Sequence, residues 1–274
     1  TPATATTRRD DPSAHLEDQR HDPVLRGLQL GAKRFDVSLE QGLSIVVEGT
    51  IPRGTGMGTI SASYAAGISI AARLAKKKPE AAIALDALIS LGGDPGHGAA
   101  ALLGGLTVTS QLSLPQESAL RVRPLSMSVD KSWHHIIALP DIQMGTAETK
   151  RVLPPTLPHA ATARSISRTF GVVRALETGD EDLLHQCLVD EVHLPYRRRL
   201  IPGLDHALTV AVEAGAAGAT VCGHGPGMIA FTTKQDRIPE IAAAMVHAFA
   251  KNGSKATTLP LQTAFYGAFP PDGS

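Results

Sequence analysis

Cysteine and aromatic residues are scarce in this 274-residue sequence: Cys187 and Cys222 are the only cysteines, and Phe, Trp and Tyr together make up 4%. Two cysteines cannot staple a chain of this length. Their scarcity points to a reducing compartment, so cytoplasm is the expected location. Neither sign of charge is in excess, with Lys plus Arg and Asp plus Glu at 26 each. Without a net positive field, nucleic acid and anionic membrane surfaces are not expected partners, and local arginines stand out as ligand-binding groups instead. The sequence also lacks an apolar run of about 18 residues and a charged-then-apolar leader, so neither a membrane span nor a secretory signal is expected. It begins at Thr1 and not at Met, which leaves room for residues before it. What is present is 43% hydrophobic residues against 19% charged, enough to bury a core as one large or two intimately joined domains.

The most informative stretch is Ile51-Pro52-Arg53-Gly54-Thr55-Gly56-Met57-Gly58-Thr59-Ile60-Ser61-Ala62-Ser63. It lies between the apolar run Leu43 to Val47 and the Ala/Ile-rich segment Tyr64 to Leu74. A strand, a glycine-rich turn and a helix of small residues point the free N–H groups of a helix start at an anion. Gly54, Gly56, Gly58, Thr59 and Ser61 are therefore the candidate phosphate- or carboxylate-binding residues. No Gly-Lys-Ser/Thr closes the loop and no strand-helix-strand unit with a later acidic residue follows it, which excludes the Walker and dinucleotide-binding patterns.

Patterning along the rest predicts the following order. Thr1 to Thr7 reads as a strand, and Arg8 to Asp22 as a solvated polar segment. Asp22-Pro23 caps a helix carrying Val24, Leu25, Leu28, Ala32 and Phe35 on one face. Gly42 to Thr50 alternates as a strand, and the helix after the glycine loop runs to about Lys77. Glu80 to Leu91 is a helix, Gly92 to Gly98 a break, and Ala99 to Leu103 a short helix. Strands are expected at Leu106 to Leu112, Leu120 to Val122 and Trp133 to Leu139, and a helix near Thr146 to Leu153. Helices at about Ala160 to Thr178, Glu181 to Glu191, Leu204 to Ala214 and Ile238 to Asn252 then alternate with strands at Ala219 to Cys222, Met228 to Thr233 and Lys255 to Phe265. This order gives an α+β fold, two joined α/β subdomains with antiparallel sheets backed by helices, divided into residues 1–139 and 140–274.

The glycine loop resembles the second motif of the GHMP small-molecule kinases, Pro-x-x-x-Gly-Leu-Gly-Ser-Ser-x-Ala, which wraps the triphosphate of ATP. Its frame is kept from Pro52 to Ala62, and its Ser-Ser pair is not. Later segments narrow the resemblance to homoserine kinases: Pro140-Asp141 through Gly145-Thr146-Ala147 to Arg151-Val152-Leu153-Pro154, the pair Ser167-Arg168, and Asp190-Glu191-Val192-His193-Leu194-Pro195-Tyr196-Arg197 running on to Leu200-Ile201-Pro202-Gly203. The third superfamily motif, Gly-Ser-Gly-Pro-Thr, is similar to Gly223-His224-Gly225-Pro226-Gly227. The resemblance runs from about His21 to the C-terminus. It implies a GHMP-kinase-like fold, ATP and Mg²⁺ as the reaction partners, and Arg168 and Arg197 on the carboxylate of a small amino or hydroxy acid.

The departures fall on the chemistry. Of the family's opening strand, substrate loop and adenine-holding strands, Thr1-Pro2-Ala3-Thr4 is all that the sequence matches. The family's Glu-Gly-His-Pro-Asp-Asn, with its magnesium-binding Glu, aligns with Gly92-Gly93-Asp94-Pro95-Gly96-His97, so no metal ligand is assigned. Two functions stand at this point. One is a homoserine-kinase-like enzyme that moves a phosphoryl group from ATP to the hydroxyl of a small amino or hydroxy acid. The other keeps the fold and anion pocket but not ATP, as a lyase, isomerase or hydrolase on a small carboxylate, or as a binding protein. In that second case His193, His224 and His97, all in motif loops, are the candidate acids and bases. A homodimer is one option for the assembly.

Overall fold

The computed structural model describes residues 6–9, 21–39, 43–76, 80–112 and 121–269. Most of the expected opening strand and polar segment lies outside them. Strand β1 (Thr6–Arg9) is described and pairs in parallel with β2 (Ser44–Val47), Thr6 opposite Ser44 and Arg9 opposite Val47. Arg8 and Arg9 are thus strand and not loop, because a ladder partner distant in sequence satisfies their backbone and charge does not oppose an edge strand.

Among the described residues, one unit holds those up to Ile51, Gly58 to Met127, and those from Ala264 onward; the other holds Pro52–Met57 and Ser128–Thr263. The chain crosses between units inside the glycine loop, after Met57.

In the first unit, helix α1 (Pro23–Phe35) starts at Asp22, whose Oδ1 accepts the N–H groups of Val24 at 2.7 Å and Leu25 at 3.2 Å. Its apolar stripe is buried as the spacing predicts, with Val24, Leu25, Leu28, Ala32 and Phe35 all inside. Helices α2 (Thr59–Leu74), α3 (Ala81–Ser90) and α4 (Pro95–Leu103) join it around a core that includes Leu28, Ile68, Leu85, Leu88 and Leu102. Helices α1 and α2 cross at backbone contact: a Cβ at Gly67 would lie 2.0 Å from the Val24 carbonyl oxygen. Strands β3 (Leu106–Leu112) and β4 (Arg121–Met127) form an antiparallel pair. The C-terminal segment returns to this unit, where the N–H groups of Ala268 and Phe269 donate to the carbonyls of Ala101 and Leu102, each at 2.9 Å.

The second unit is built on a four-stranded antiparallel sheet from β5 (His134–Pro140), β6 (Gly218–Val221), β7 (Met228–Thr232) and β8 (Ala256–Gln262), in the order β6-β7-β5-β8. Alternate residues Ile136, Ala138, Met228 and Ala230 share one core with Leu204, Ala207 and Ala211 of α9 (Leu204–Glu213) and Ile241, Met245 and Phe249 of α10 (Ile238–Lys251). Trp133, ahead of β5, is fully buried and donates its indole N–H to the Leu176 carbonyl at 3.1 Å, tying α6 (His159–Thr178) to the sheet. Helices α5 (Thr146–Arg151), α7 (Glu181–Cys187) and α8 (Leu194–Arg197) complete it.

Helical periodicity carries on to Glu191, but α7 ends at Cys187. Asp190 causes the difference: its carboxylate accepts the N–H groups of Val192, His193 and Leu194 at 2.8, 2.8 and 3.1 Å and starts the new turn α8. The antiparallel sheets backed by helices are as expected, and the parallel β1–β2 pair is the exception.

Candidate active site

The candidate residues fall into local clusters. In the second unit, the loop Pro52–Met57 lies backbone on backbone against the turn between β6 and β7. The Gly227 N–H donates to the Thr55 carbonyl at 3.0 Å, and the Cys222 thiol reaches the Gly56 carbonyl at 3.6 Å. The approach is so close that a Cβ on Gly56 would stand 1.9 Å from the Cys222 carbonyl oxygen. Gly54 and Gly56 both hold left-handed backbone, with φ of 71° and 86°. Burial pushes the Cys222 thiol up to about 11, so it stays a neutral donor at ordinary pH. Pro52–Met57, the first part of the second motif, is thus held against the third motif, distant from it in sequence.

Arg197, the last residue of α8, is bound to the same turn. It is 7% exposed, and its Nη1 donates to the Gly223 carbonyl at 3.2 Å. Its Nε is buried with no partner. Burial lowers its pKa while Asp190 pulls the other way. The guanidinium therefore holds the turn that carries His224, and keeps one N–H unspent.

Arg168, on α6, is half-buried, and its Nη1 donates to Glu191 Oε1 at 2.7 Å; among the described residues no hydrogen bond joins it to that turn. Glu191 is also held by Arg164, from Nε at 3.1 Å to both carboxylate oxygens and from Nη2 at 2.8 Å to Oε2. Hydrogen bonds from Arg164 and Arg168 hold the Glu191 carboxyl down to about 2. Next to it, burial works to raise the Asp190 pKa, but hydrogen bonds from His193 and from the N–H groups of His193 and Val192 outweigh burial and hold it at about 2. His193 Nδ1 lies 3.7 Å from Asp190 Oδ2.

A carboxyl depressed from 3.8 to about 2 on folding stabilises the native state fully above 3.8, and that contribution is lost as pH falls towards 2. Denaturant midpoints are expected to fall through this window, and to fall less steeply in Asp190→Asn, which keeps an acceptor for the backbone N–H groups but cannot titrate. An Asp190→Asn variant with the parental acid limb would remove Asp190 from that linkage.

In the first unit, Gly58 is the N-cap of α2, in left-handed backbone with φ 79°, and it supplies no side-chain cap to the first turn. Ser61 Oγ accepts the Asp94 N–H at 3.0 Å, and Asp94 Oδ1 accepts the His97 N–H at 2.9 Å as the N-cap of α4. His97 Nδ1 is 3.3 Å from the same oxygen, and its ring lies against Gly58, where a Cβ would be 2.7 Å from Cγ. Gly58, Ser61 and His97 are thus brought together by Asp94, with Thr59 beside them in the chain.

The metal that the resemblance implies finds little here to hold it. Gly92 stands where the family has a carboxylate, Asp94 is committed to capping α4, and the described residues contain no group of three His, Cys, Asp or Glu that would hold an ion. The described residues do not fit a protein-held Mg²⁺, and no step is assigned to one.

Reading the sequence missed Glu191, which meets the predicted Arg168, and the organising parts played by Asp94 and Asp190. A signal existed for two of these. Asp94-Pro95 is an N-cap followed by proline in the first turn, and Asp190 stands three residues before His193, the capping distance. Nothing in the sequence pairs Glu191 with residues 23 and 27 positions earlier.

Residues 172–252 match the family model described as GHMP kinases C terminal. Homoserine kinase from Trichormus variabilis is 30% identical over 231 residues, 83% of this chain and 73% of that protein. Homoserine kinase from Parasynechococcus marenigrum is 31% identical over 256 residues, 92% of this chain and 78% of the relative. This chain belongs to the homoserine kinase family. Among solved structures, homoserine kinase from Cytophaga hutchinsonii superposes with a TM-score of 0.82 at 23% identity, covering 97% of this chain and 83% of that one. As a homoserine kinase family member the chain is an enzyme of the phosphotransferase kind, and nothing in these comparisons supports a lyase, isomerase or hydrolase on the same fold. No helix among the described residues is long and apolar enough to cross a membrane.

Proposed function

We propose that the protein transfers the terminal phosphoryl group of ATP to the hydroxyl of a small hydroxy amino acid, with homoserine the first substrate to test. The observation that carries this reading is the relationship to homoserine kinases over 83% of the chain. In this reading Gly54, Gly56, Gly58, Thr59 and Ser61 hold the phosphates through backbone N–H groups and hydroxyls, as an uncapped helix start favours. Arg168 and Arg197 take the substrate carboxylate, Arg197 with the N–H it leaves unspent. Of the three candidate histidines, His97 is retained as an acid, base or charge-bearing group, because its ring rests on Gly58. Magnesium is read as arriving with the triphosphate, since Mg²⁺ is commonly held by substrate phosphates and water with few protein ligands. The ATP site is read as degenerate, with the Ser-Ser pair and the carboxylate at Gly92 both missing. Cytoplasm is the proposed location, both cysteines being free thiols.

The test is ADP release from ATP and Mg²⁺ with and without L-homoserine, beside a thermal scan with nucleotide. Turnover is expected to depend on homoserine and to lie below the roughly 1–100 per second of typical kinases. ATP at about 100 times its Kd is expected to stabilise the protein by about 2.7 kcal/mol. No ADP above background would overturn the reading, and no thermal shift with ATP would remove ATP as its donor.

A further inference from the structure

We propose that Glu191 is a positioning residue: clamped by Arg164, it turns Arg168 so that the open side of its guanidinium receives the substrate's carboxylate. This rests on the reading of Arg168 as a carboxylate ligand. Three observations carry it. Arg164 grips Glu191 through Nε and Nη2, the paired edge of its fork, at 3.1 and 2.8 Å, which fixes where the carboxylate stands. Glu191 then takes a single N–H from Arg168, Nη1 at 2.7 Å. The Nε and Nη2 of Arg168, its own paired edge, have no partner among the described residues, and neither is among the atoms sealed from solvent. That edge matches a carboxylate bidentately.

The charge count agrees. Arg164, Arg168 and Glu191 sum to +1, so the cluster is matched to a monoanion, and a single carboxylate neutralises it. Arg168 alone, a long side chain with many rotamers, would lose more entropy on binding than one already held by Nη1. Glu191 thus sets the orientation in advance, and the substrate class this favours is one whose carboxylate is required.

Calorimetric titration of the full chain separates this from a mere surface bridge. The probes are L-homoserine and the amino diol in which its carboxylate is reduced to an alcohol, without nucleotide. Glu191→Ala is expected to raise the Kd for homoserine about tenfold and leave that for the diol unchanged, the loss coming from misorientation of one bidentate contact. Glu191→Gln, which still offers one oxygen to Nη1, is expected to recover part of it, and Arg164→Ala to weaken homoserine in the same direction with a smaller effect. Thermal midpoints identify any variant that fails to fold, and Arg164→Ala then carries the test. Equal weakening of both probes, an unchanged Kd, tighter homoserine binding in Glu191→Ala, or no homoserine binding by the parent would each overturn the proposal. If homoserine binds with the expected pattern but no ADP is formed, the phosphoryl-transfer reading fails and this one stands.

Discussion

Gly56→Val is expected to disrupt the fold of the second unit and not only the handling of ligand. The added Cβ would stand 1.9 Å from the Cys222 carbonyl oxygen and 3.0 Å from the Gly225 nitrogen, both backbone atoms that cannot swing away. The backbone there has φ of 86°, which a β-branched residue adopts poorly. Backbone strain and overpacking each cost on the order of 1–3 kcal/mol. The neighbouring hydrogen bonds, Thr55 to Gly227 and Gly56 to Cys222, would open with the clash. Denaturant unfolding of the apo protein measures this directly, and Gly54→Ala is the matched control: φ is 71° but nothing lies within 4 Å of the added Cβ, so backbone strain of about 1 kcal/mol is all that is expected. A valine variant as stable as the parent would show that the loop and the turn do not touch. Anion binding is better probed at Gly54, where a side chain alters the loop without striking its support.

Arg197→Ala is expected to be the most damaging of the arginine changes, because this side chain has a structural part and, in the proposed function, a binding one. Removing it leaves the Gly223 carbonyl without its donor and empties the space of a side chain that is 7% exposed. Gly223 is exposed, so water can replace the lost donor there, and the structural cost comes from the space left by the buried side chain, on the order of 1–3 kcal/mol. Loss of a charge-assisted contact to a bound carboxylate would weaken kcat/KM for homoserine by a further 2–5 kcal/mol, about 30-fold or more. Arg197→Lys divides the two, since an ammonium can still donate to Gly223 but cannot present a fork. Stability near the parent's with activity lost is the expected result for lysine. An alanine variant with parental unfolding and parental kinetics would remove Arg197 from both roles.

Local chemistry explains which expectations held. Asp22-Pro23 and the stripe Val24, Leu25, Leu28, Ala32, Phe35 place α1 to the residue, because capping and 3.6-residue periodicity act over one or two turns. Helix α6, expected at Ala160 to Thr178, is observed at His159–Thr178, one residue longer. Periodicity failed over Leu188 to Glu191, where a carboxylate recruits three backbone N–H groups and ends one helix to start another. It failed at Arg8 and Arg9 because strand pairing is decided by a partner that the local pattern does not contain.

By itself, the sequence determined the α+β layout, the glycine loop as the start of a helix, and membership of the homoserine kinase family through its motifs. These depend on residue type and short spacing. The tertiary structure alone decided what the candidate residues do to each other. It put Gly56 on the Cys222 carbonyl, gave Arg197 a backbone partner and took it out of water, and set Glu191 against both Arg164 and Arg168. Distance and burial set the strength of a charge or a hydrogen bond, and neither is written in the spacing of residues that meet across 23, 26 or 166 positions of chain.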